Sequence, residues 1–178
     1  MKVLSDLDMT GNNIVNRGND PSGGGGSGLS VSFFQVQDDG STGQLTTTSF
    51  ADLAGLWDTP TLTSADFSWD GATGILTALR AGVIEFDAKV TSHNNANNRH
   101  ELHVQIVKNA STVLVEDSQY ASRNNTQDEG SAYIPGFKDT CAANDEYRLR
   151  VRHVGVTATI GNANVDADSY LSAKLYST

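Results

Sequence analysis

From Ile84 to Thr91 the chain alternates without a break. Ile84, Phe86, Ala88 and Val90 fall on one side; Glu85, Asp87, Lys89 and Thr91 fall on the other. Extended chain places successive side chains on opposite faces, whereas a helix would scatter these four apolar groups around its circumference. Only a half-buried strand makes use of such a pattern, so this stretch belongs to a sheet with one oily face. The same period returns at Leu102, Val104 and Ile106, at Tyr147, Leu149, Val151 and His153, and at Leu171, Ala173 and Leu175. No window of about 12 residues carries a helical stripe. Glycine occurs 17 times, and Thr, Ser and Asn punctuate the apolar runs, which suits short strands joined by turns. The expected fold is all-β, a sandwich or jelly roll of about nine strands.

In chain order, residues 1–20 hold Leu4, Leu7, Met9, Ile14 and Val15 among polar groups, too few for a core of their own. They read as an arm that orders against a partner, burying those five side chains there. Residues 21–28, rich in Gly and Ser, read as a flexible linker. A strand follows at Leu29–Val36, a turn at Asp38-Asp39-Gly40, a short strand at Gln44–Ser49 and a helical turn or loop at Ala51–Asp58. Gly74–Leu79 is expected to pair with Gly82–Thr91 through an Arg80-Ala81 turn. Glu101–Val107 and Thr112–Ala121 form a hairpin over Asn109-Ala110-Ser111, Ser131–Phe137 follows a polar loop, and Asp168–Tyr176 closes the chain. Trp57 and Trp69 are expected in packing rather than ligand stacking.

Lys and Arg total 12 against 21 Asp and Glu, a net charge of −9, which repels a phosphate backbone and argues against nucleic-acid binding. No apolar run reaches the roughly 20 residues needed to insert across a bilayer as a helix. The start lacks the layout of a signal peptide, so assembly in the cytoplasm is expected. The lone Cys141 has no intrachain partner and reads as a small buried residue.

Catalytic chemistry is sparse. His100 and His103 sit three apart in a strand and face opposite ways, so they cannot share a metal. His93 falls in a loop and His153 on an inward phase. Asp38, Asp39 and Asp70 sit at turns, where carboxylates hold backbone; a calcium site is the lesser alternative, since no bidentate ligand follows at fixed spacing. The expectation is no enzyme, no metal and no cofactor. Arg148, Arg150 and Arg152 share one outer face; they are candidates for ion pairing with the strand of Glu101, His103 and Gln105, or for an anionic ligand. Asn97, Arg99 and Arg123, in two polar loops, extend that possible ligand surface toward a host surface glycan.

Four passages resemble the tumour-necrosis-factor/complement-globular-head jelly roll, as it occurs in bacteriophage virion proteins. Ala81-Gly82-Val83-Ile84-Glu85-Phe86 is similar to its Gly-x-aromatic-x-Phe strand, with Ile84 for the usual Tyr. Val107-Lys108-Asn109-Ala110 is similar to a strand ending in Lys-Asn-Gly, Asn144-Asp145-Glu146-Tyr147 to a Gly-Asp turn with Asn for Gly, and Asp168–Tyr176 to the closing strand. Leu4–Ile14 looks like the attachment segments of phage fibre and decoration proteins. The resemblance implies a homotrimer, with Glu85, Asp87, Lys89, Tyr170 and Tyr176 near the threefold axis.

The resulting expectation is a non-enzymatic virion protein. Residues 1–20 would attach it to other virion proteins of the capsid or tail, 21–28 would be the hinge, and 29–178 a projecting jelly-roll knob. Capsid decoration or a head fibre is the leading expectation, and a tail-fibre module that binds a host glycan or protein the alternative.

Overall fold

The computed structural model describes residues 28–38, 44–55, 57, 59–94, 100–121, 129–155, 158–160 and 169–178. The five apolar residues of the arm, and Asn97, Arg99 and Arg123, lie outside them. The strands are β1 (Ser30–Gln37), β2 (Gln44–Leu45), β3 (Ala51–Asp52), β4 (Leu62–Thr63), β5 (Phe67–Asp70), β6 (Ile75–Ala78), β7 (Gly82–Asn94), β8 (His100–Lys108), β9 (Thr112–Ala121), β10 (Glu129–Cys141), β11 (Glu146–Gly155), β12 (Ala158–Ile160) and β13 (Tyr170–Ser177). The chain is all-β, in two sheets whose pairings are antiparallel.

The first sheet is built on β7. Along one edge it takes β10; along the other it takes β13 beside Val83–Lys89 and β12 beside Ser92–Asn94. β1 pairs with β13 and β4 with β1, while β2 pairs with β12. The second sheet runs β5-β6-β11-β8-β9, with β3 also on β11. Ile84, Phe86, Ala88 and Val90 point into the sandwich, all but sealed from solvent. Opposite them lie Leu102, Val104, Ile106, Tyr147, Leu149 and Val151. Each such side chain, fully buried, contributes about 1.5–3 kcal/mol by leaving water. Trp57 is buried, its carbonyl accepts the indole N–H of Trp69 at 2.9 Å, and Trp69 packs 5.4 Å from Phe34.

The expected hairpin across Arg80-Ala81 does not form. β6 belongs to the second sheet, between β5 and β11, whereas β7 belongs to the first. Ala78 donates to the Asp145 carbonyl and accepts from the Asn144 N–H, so the entry into β11 occupies the edge that β7 would need. The oily sides of the two strands are therefore buried in one core from different sheets. Ala51–Asp58 also departs from expectation: Ala51 and Asp52 are extended and pair with Val151 and Arg150. The Gln44–Ser49 strand shortens to Gln44–Leu45, after which the Thr47 carbonyl accepts from the His153 N–H.

β10 runs to Cys141 rather than Phe137. Between Ile134 and Phe137 it advances three residues while β7 advances two, from Ala88 to Phe86. This bulge, with Gly136 at φ +56°, reverses the alternation. Ala132 and Ile134 face inward before it, and Phe137, Asp139 and Cys141 after it.

Two turn residues take backbone that glycine most readily adopts. Asn144 and Ala110, which stand where glycines are usual, both have left-handed backbone, at φ +70° and +67°. Asn tolerates that region and Ala does so poorly. Replacing Ala110 with Gly is expected to raise stability by up to about 1 kcal/mol, read from the midpoint of denaturant unfolding. Gly82 is needed for a different reason: a Cβ there would run into the Tyr176 carbonyl of β13.

Candidate functional site: the outer face of the first sheet

Strand register assembles this face row by row. Tyr133, Lys89, Tyr170 and Gln37 share one row across β10, β7, β13 and β1. Asp87, Ser172 and Gln35 form the next, then Lys138, Glu85, Lys174 and Phe33, then Val83, Tyr176 and Val31. Glu85, Asp87, Lys89, Tyr170 and Tyr176, singled out from the sequence, thus lie together. Tyr133, Lys138, Lys174, Phe33 and Val83 join them. Tyr133 could have been found from its phase opposite Ala132 and Ile134, but Lys138 turns outward only because of the bulge.

Two carboxylates organise the polar part. Asp87 accepts from Tyr170 Oη at 2.9 Å and from Tyr133 Oη at 3.2 Å, one phenol from each flanking strand. Burial, then the bond to Asp87, pushes the Tyr170 phenol well above the usual tyrosine range, so it stays a donor at any physiological pH. Glu85 accepts from Tyr176 Oη at 3.2 Å and lies 3.3 Å from Lys138 Nζ and 3.6 Å from Lys174 Nζ. Desolvation raises its pKa, but the Lys138, Tyr176 and Lys174 contacts outweigh that and leave it below the ordinary glutamate value.

Around these nodes several large apolar side chains are exposed. Seven large hydrophobic residues are exposed among those described, and Phe33, Val83 and Tyr133 lie on this face. Leu29, in phase just ahead of β1, is a fourth. With Lys89, Lys138 and Lys174 against Glu85 and Asp87, the face carries a small positive balance on a chain of net charge −9. It can lie against another surface without the repulsion that the rest of the chain would impose.

On the outer face of the second sheet the charges of the arginine row meet carboxylates as well. Arg150 Nε binds Asp52, and its guanidinium also donates to the Ala110 carbonyl at 3.0 Å. Arg148 lies 3.4 Å from Asp52 and 3.1 Å from Glu146. Arg152 stacks 4.7 Å over the Phe50 ring and lies 3.9 Å from Glu116. Glu116 accepts from Gln105 at 2.7 Å and meets His103 Nδ1 at 2.9 Å; the Gln105 bond, then His103, holds it below its usual value. β8 does adjoin the arginine strand, yet the carboxylates that meet the arginines come from β3, β9 and β11.

A third polar assembly fastens the turns. Lys108 Nζ lies 2.9 Å from both Asp139 and Asp145 and donates to the Thr140 carbonyl at 2.8 Å. Tyr147 Oη donates to Asp139 at 2.9 Å, and Asp145 accepts from Asn109 Nδ2 and the Ala142 N–H, both at 2.8 Å. Desolvation would raise the Asp145 pKa, but the Asn109, Lys108 and Ala142 contacts bring it down to about 2. A depressed folded-state pKa stabilises the protein above the unfolded value and ceases to do so as pH falls through the folded one. A loss of about 1–2 kcal/mol is therefore expected between about pH 4 and pH 2. Asp145→Asn should flatten that part of a stability–pH curve measured by denaturant unfolding.

Catalytic geometry is not built by these groups. Among the described residues no cluster of three or more His, Cys, Asp or Glu could hold a metal. His100 Nε2 meets Ser92 Oγ at 2.8 Å and His153 Nδ1 meets Thr46 at 2.7 Å, but His100, Ser92, His153 and Thr46 are all buried where no substrate reaches. Cys141 is buried, and burial pushes its thiol up, away from a reactive thiolate. Asp70 holds its own turn, accepting from Thr73 at 2.7 Å and the Ala72 N–H at 3.1 Å.

No family model matches the sequence, and no curated protein matches it. Solved structures do resemble the fold. Murine APRIL is 12% identical with a TM-score of 0.53, covering 82% of this chain and 98% of its own. Eiger TNF from S. frugiperda is 13% identical with a TM-score of 0.56, covering 83% of this chain and 93% of its own. At that identity the likeness speaks for architecture: the two sheets are those of a TNF-like jelly roll.

Proposed function

We propose that this chain is a non-enzymatic structural protein of a bacteriophage particle, in which residues 1–20 attach a projecting trimeric β knob to the virion. The observation that carries the trimer is the outer face of the first sheet. Apolar side chains lie uncovered there around carboxylates already hydrogen-bonded within their own subunit, so another copy can cover them without stranding a charge. An interface can hold polar groups at its middle when they are already satisfied, and here Asp87 and Glu85 are, with exposed apolar side chains around them. The resemblance of residues 74–176 to the tumour-necrosis-factor/complement-globular-head jelly roll implies that this same face looks toward a threefold axis. The leader supports the particle: Leu4, Leu7, Met9, Ile14 and Val15 sit at a density that a solvated tail does not need.

Capsid decoration or a head fibre is the form favoured here. The arginines that could have offered an anionic-ligand surface are bound to Asp52, Glu146 and Glu116, which lowers what they can offer a glycan. Residues 29–178 expressed alone are expected to be folded and trimeric by light scattering, yet absent from purified particles. Incorporation at the level of the full chain would remove the anchoring role of residues 1–20, and a monomer would remove the trimer.

A further inference from the structure

Strand register brings the starts of β1, β7, β9 and β11 and the ends of β6, β8, β10 and β13 to one end of the sandwich. Ser30 lies beside Ser177, Val83 beside Tyr176 and Thr112 beside Lys108. Four of the seven exposed large hydrophobic residues among those described belong to this end: Leu29, Leu79, Val83 and Val113. A single exposed leucine needs no explanation, but a gathering of apolar groups at one end does. The side chain of Arg80, next to Leu79, is 48% exposed. Lys138 and Lys174, each three residues from the end of its strand, are 61% and 48% exposed. The carboxylates of this end are drawn in. Asp66, Glu85, Asp139 and Asp145 are each more than four-fifths shielded, and Glu146 lies 3.1 Å from Arg148. Among the described residues, the charge presented outward here is positive, on a chain of net charge −9.

Resting on the attachment by residues 1–20 proposed above, we infer that this end is a second docking surface, on which Leu29, Leu79, Arg80 and Val113 meet an acidic protein surface of the particle beside the arm's own site. Two observations choose that occupant. The arm leaves from this end, since Leu29 stands just ahead of β1, and residues 21–28 reach only about 15 Å as a flexible chain. The surface that holds the arm therefore begins close by. The exposed charge is cationic on every copy of the chain, which opposes a second copy and suits clustered Asp or Glu on a different protein. An anionic lipid surface is the poorer fit, because residues 1–20 carry Asp6, Asp8 and Asp20 against Lys2 and Arg17. The docking surface is also held ready. Lys108, Asp139 and Asp145 tie the β8–β9 and β10–β11 turns together, so little ordering is needed on contact. Arm and base then act as a linked pair, in which the base is weak alone and adds affinity once the arm has bound.

The test mixes the purified full chain with particles prepared without it, pellets the particles and measures the bound chain. Leu79→Glu and Arg80→Glu are each expected to weaken retention about tenfold. Val154→Glu is the control: Val154 is as exposed as Arg80 but lies at the opposite end of β11, and this variant should bind as the unaltered chain does. Arg80 meets Asp66 only at 3.9 Å, so its reversal spares the fold and decides the matter even if Leu79→Glu folds poorly. Far-ultraviolet circular dichroism and light scattering check that each variant matches the unaltered chain in fold and assembly. Retention of Arg80→Glu at the unaltered level, or an equal loss in Val154→Glu, overturns the docking surface and leaves the arm as the sole attachment. An unaltered chain that does not pellet with the particles overturns attachment by residues 1–20, and the docking surface with it.

Discussion

Replacing Lys108 with Met is expected to destabilise the knob by about 3 kcal/mol, because it removes the one cation between two carboxylates that stay in place. Asp139 and Asp145 both lie 2.9 Å from Nζ, and all three side chains are more than four-fifths shielded. Their attraction is consequently far stronger than that of a surface pair. Without the ammonium, Asp139 keeps only the Tyr147 hydroxyl, and Asp145 keeps Asn109 and the Ala142 N–H, while the two negative charges face each other. Three segments come loose together: the β8–β9 turn, the end of β10 and the start of β11. For a domain of this size the cost is a drop of about 6–12 °C in Tm at fixed protein concentration. Lys108→Met combined with Asp139→Asn should recover part of that loss, since it also removes one of the stranded charges. A double-mutant cycle of denaturant midpoints measures this coupling, and strict additivity of the two changes would show that the three groups do not act as a unit.

The same cluster marks where the sequence was readable and where it was not. Lys108, Asn109, Asn144 and Asp145 could be picked out as turn signals, and the left-handed backbone at Asn109 and Asn144 is what those asparagines accommodate. That Asp139 reaches Lys108 was hidden, because period-two reasoning carried through Ser131–Phe137 puts Asp139 in phase with the outward Tyr133. The bulge at Pro135 and Gly136 reverses that phase, and a single inserted residue has no periodicity to reveal it. Alternation did locate the inward sides of β7, β8, β11 and β13, and it set His100 and His103 on opposite faces. It could not say which sheet β6 joins. An oily side announces burial, yet both sheets bury theirs against the same core, so membership is decided by backbone partners such as Asp145 and Asn144 far along the chain.

For the outer face the readable part was the carboxylates and tyrosines of β7 and β13, which share a phase. The exposed apolar residues were not, because exposure of Phe33 or Val83 depends on what packs over the sheet rather than on local pattern.

If three copies meet on this face as proposed, Val83→Glu is expected to convert the assembly to monomer while leaving the fold intact. Val83 is 40% exposed in the single chain, so a glutamate there can extend into water and costs the isolated fold about 0.5 kcal/mol or less. In the trimer the same carboxylate would be desolvated among Val31 and Tyr176, with Glu85 two residues along the strand. Burying an unpaired polar group costs about 2–3 kcal/mol at the least, and a charged one more. Threefold symmetry repeats the cost in every copy, so the assembly loses about 6–9 kcal/mol, or roughly four to six powers of ten in its association constant. Asp87→Ala should act in the same direction by another route. It strands the Tyr133 and Tyr170 hydroxyls, whereas Asp87→Asn keeps a carbonyl acceptor for one of them and should retain part of the association. Light scattering across a dilution series, beside far-ultraviolet circular dichroism, separates lost assembly from lost fold. A trimer that persists unchanged in Val83→Glu would move the interface off this sheet, and with it the role assigned to Glu85, Asp87, Tyr170 and Tyr176.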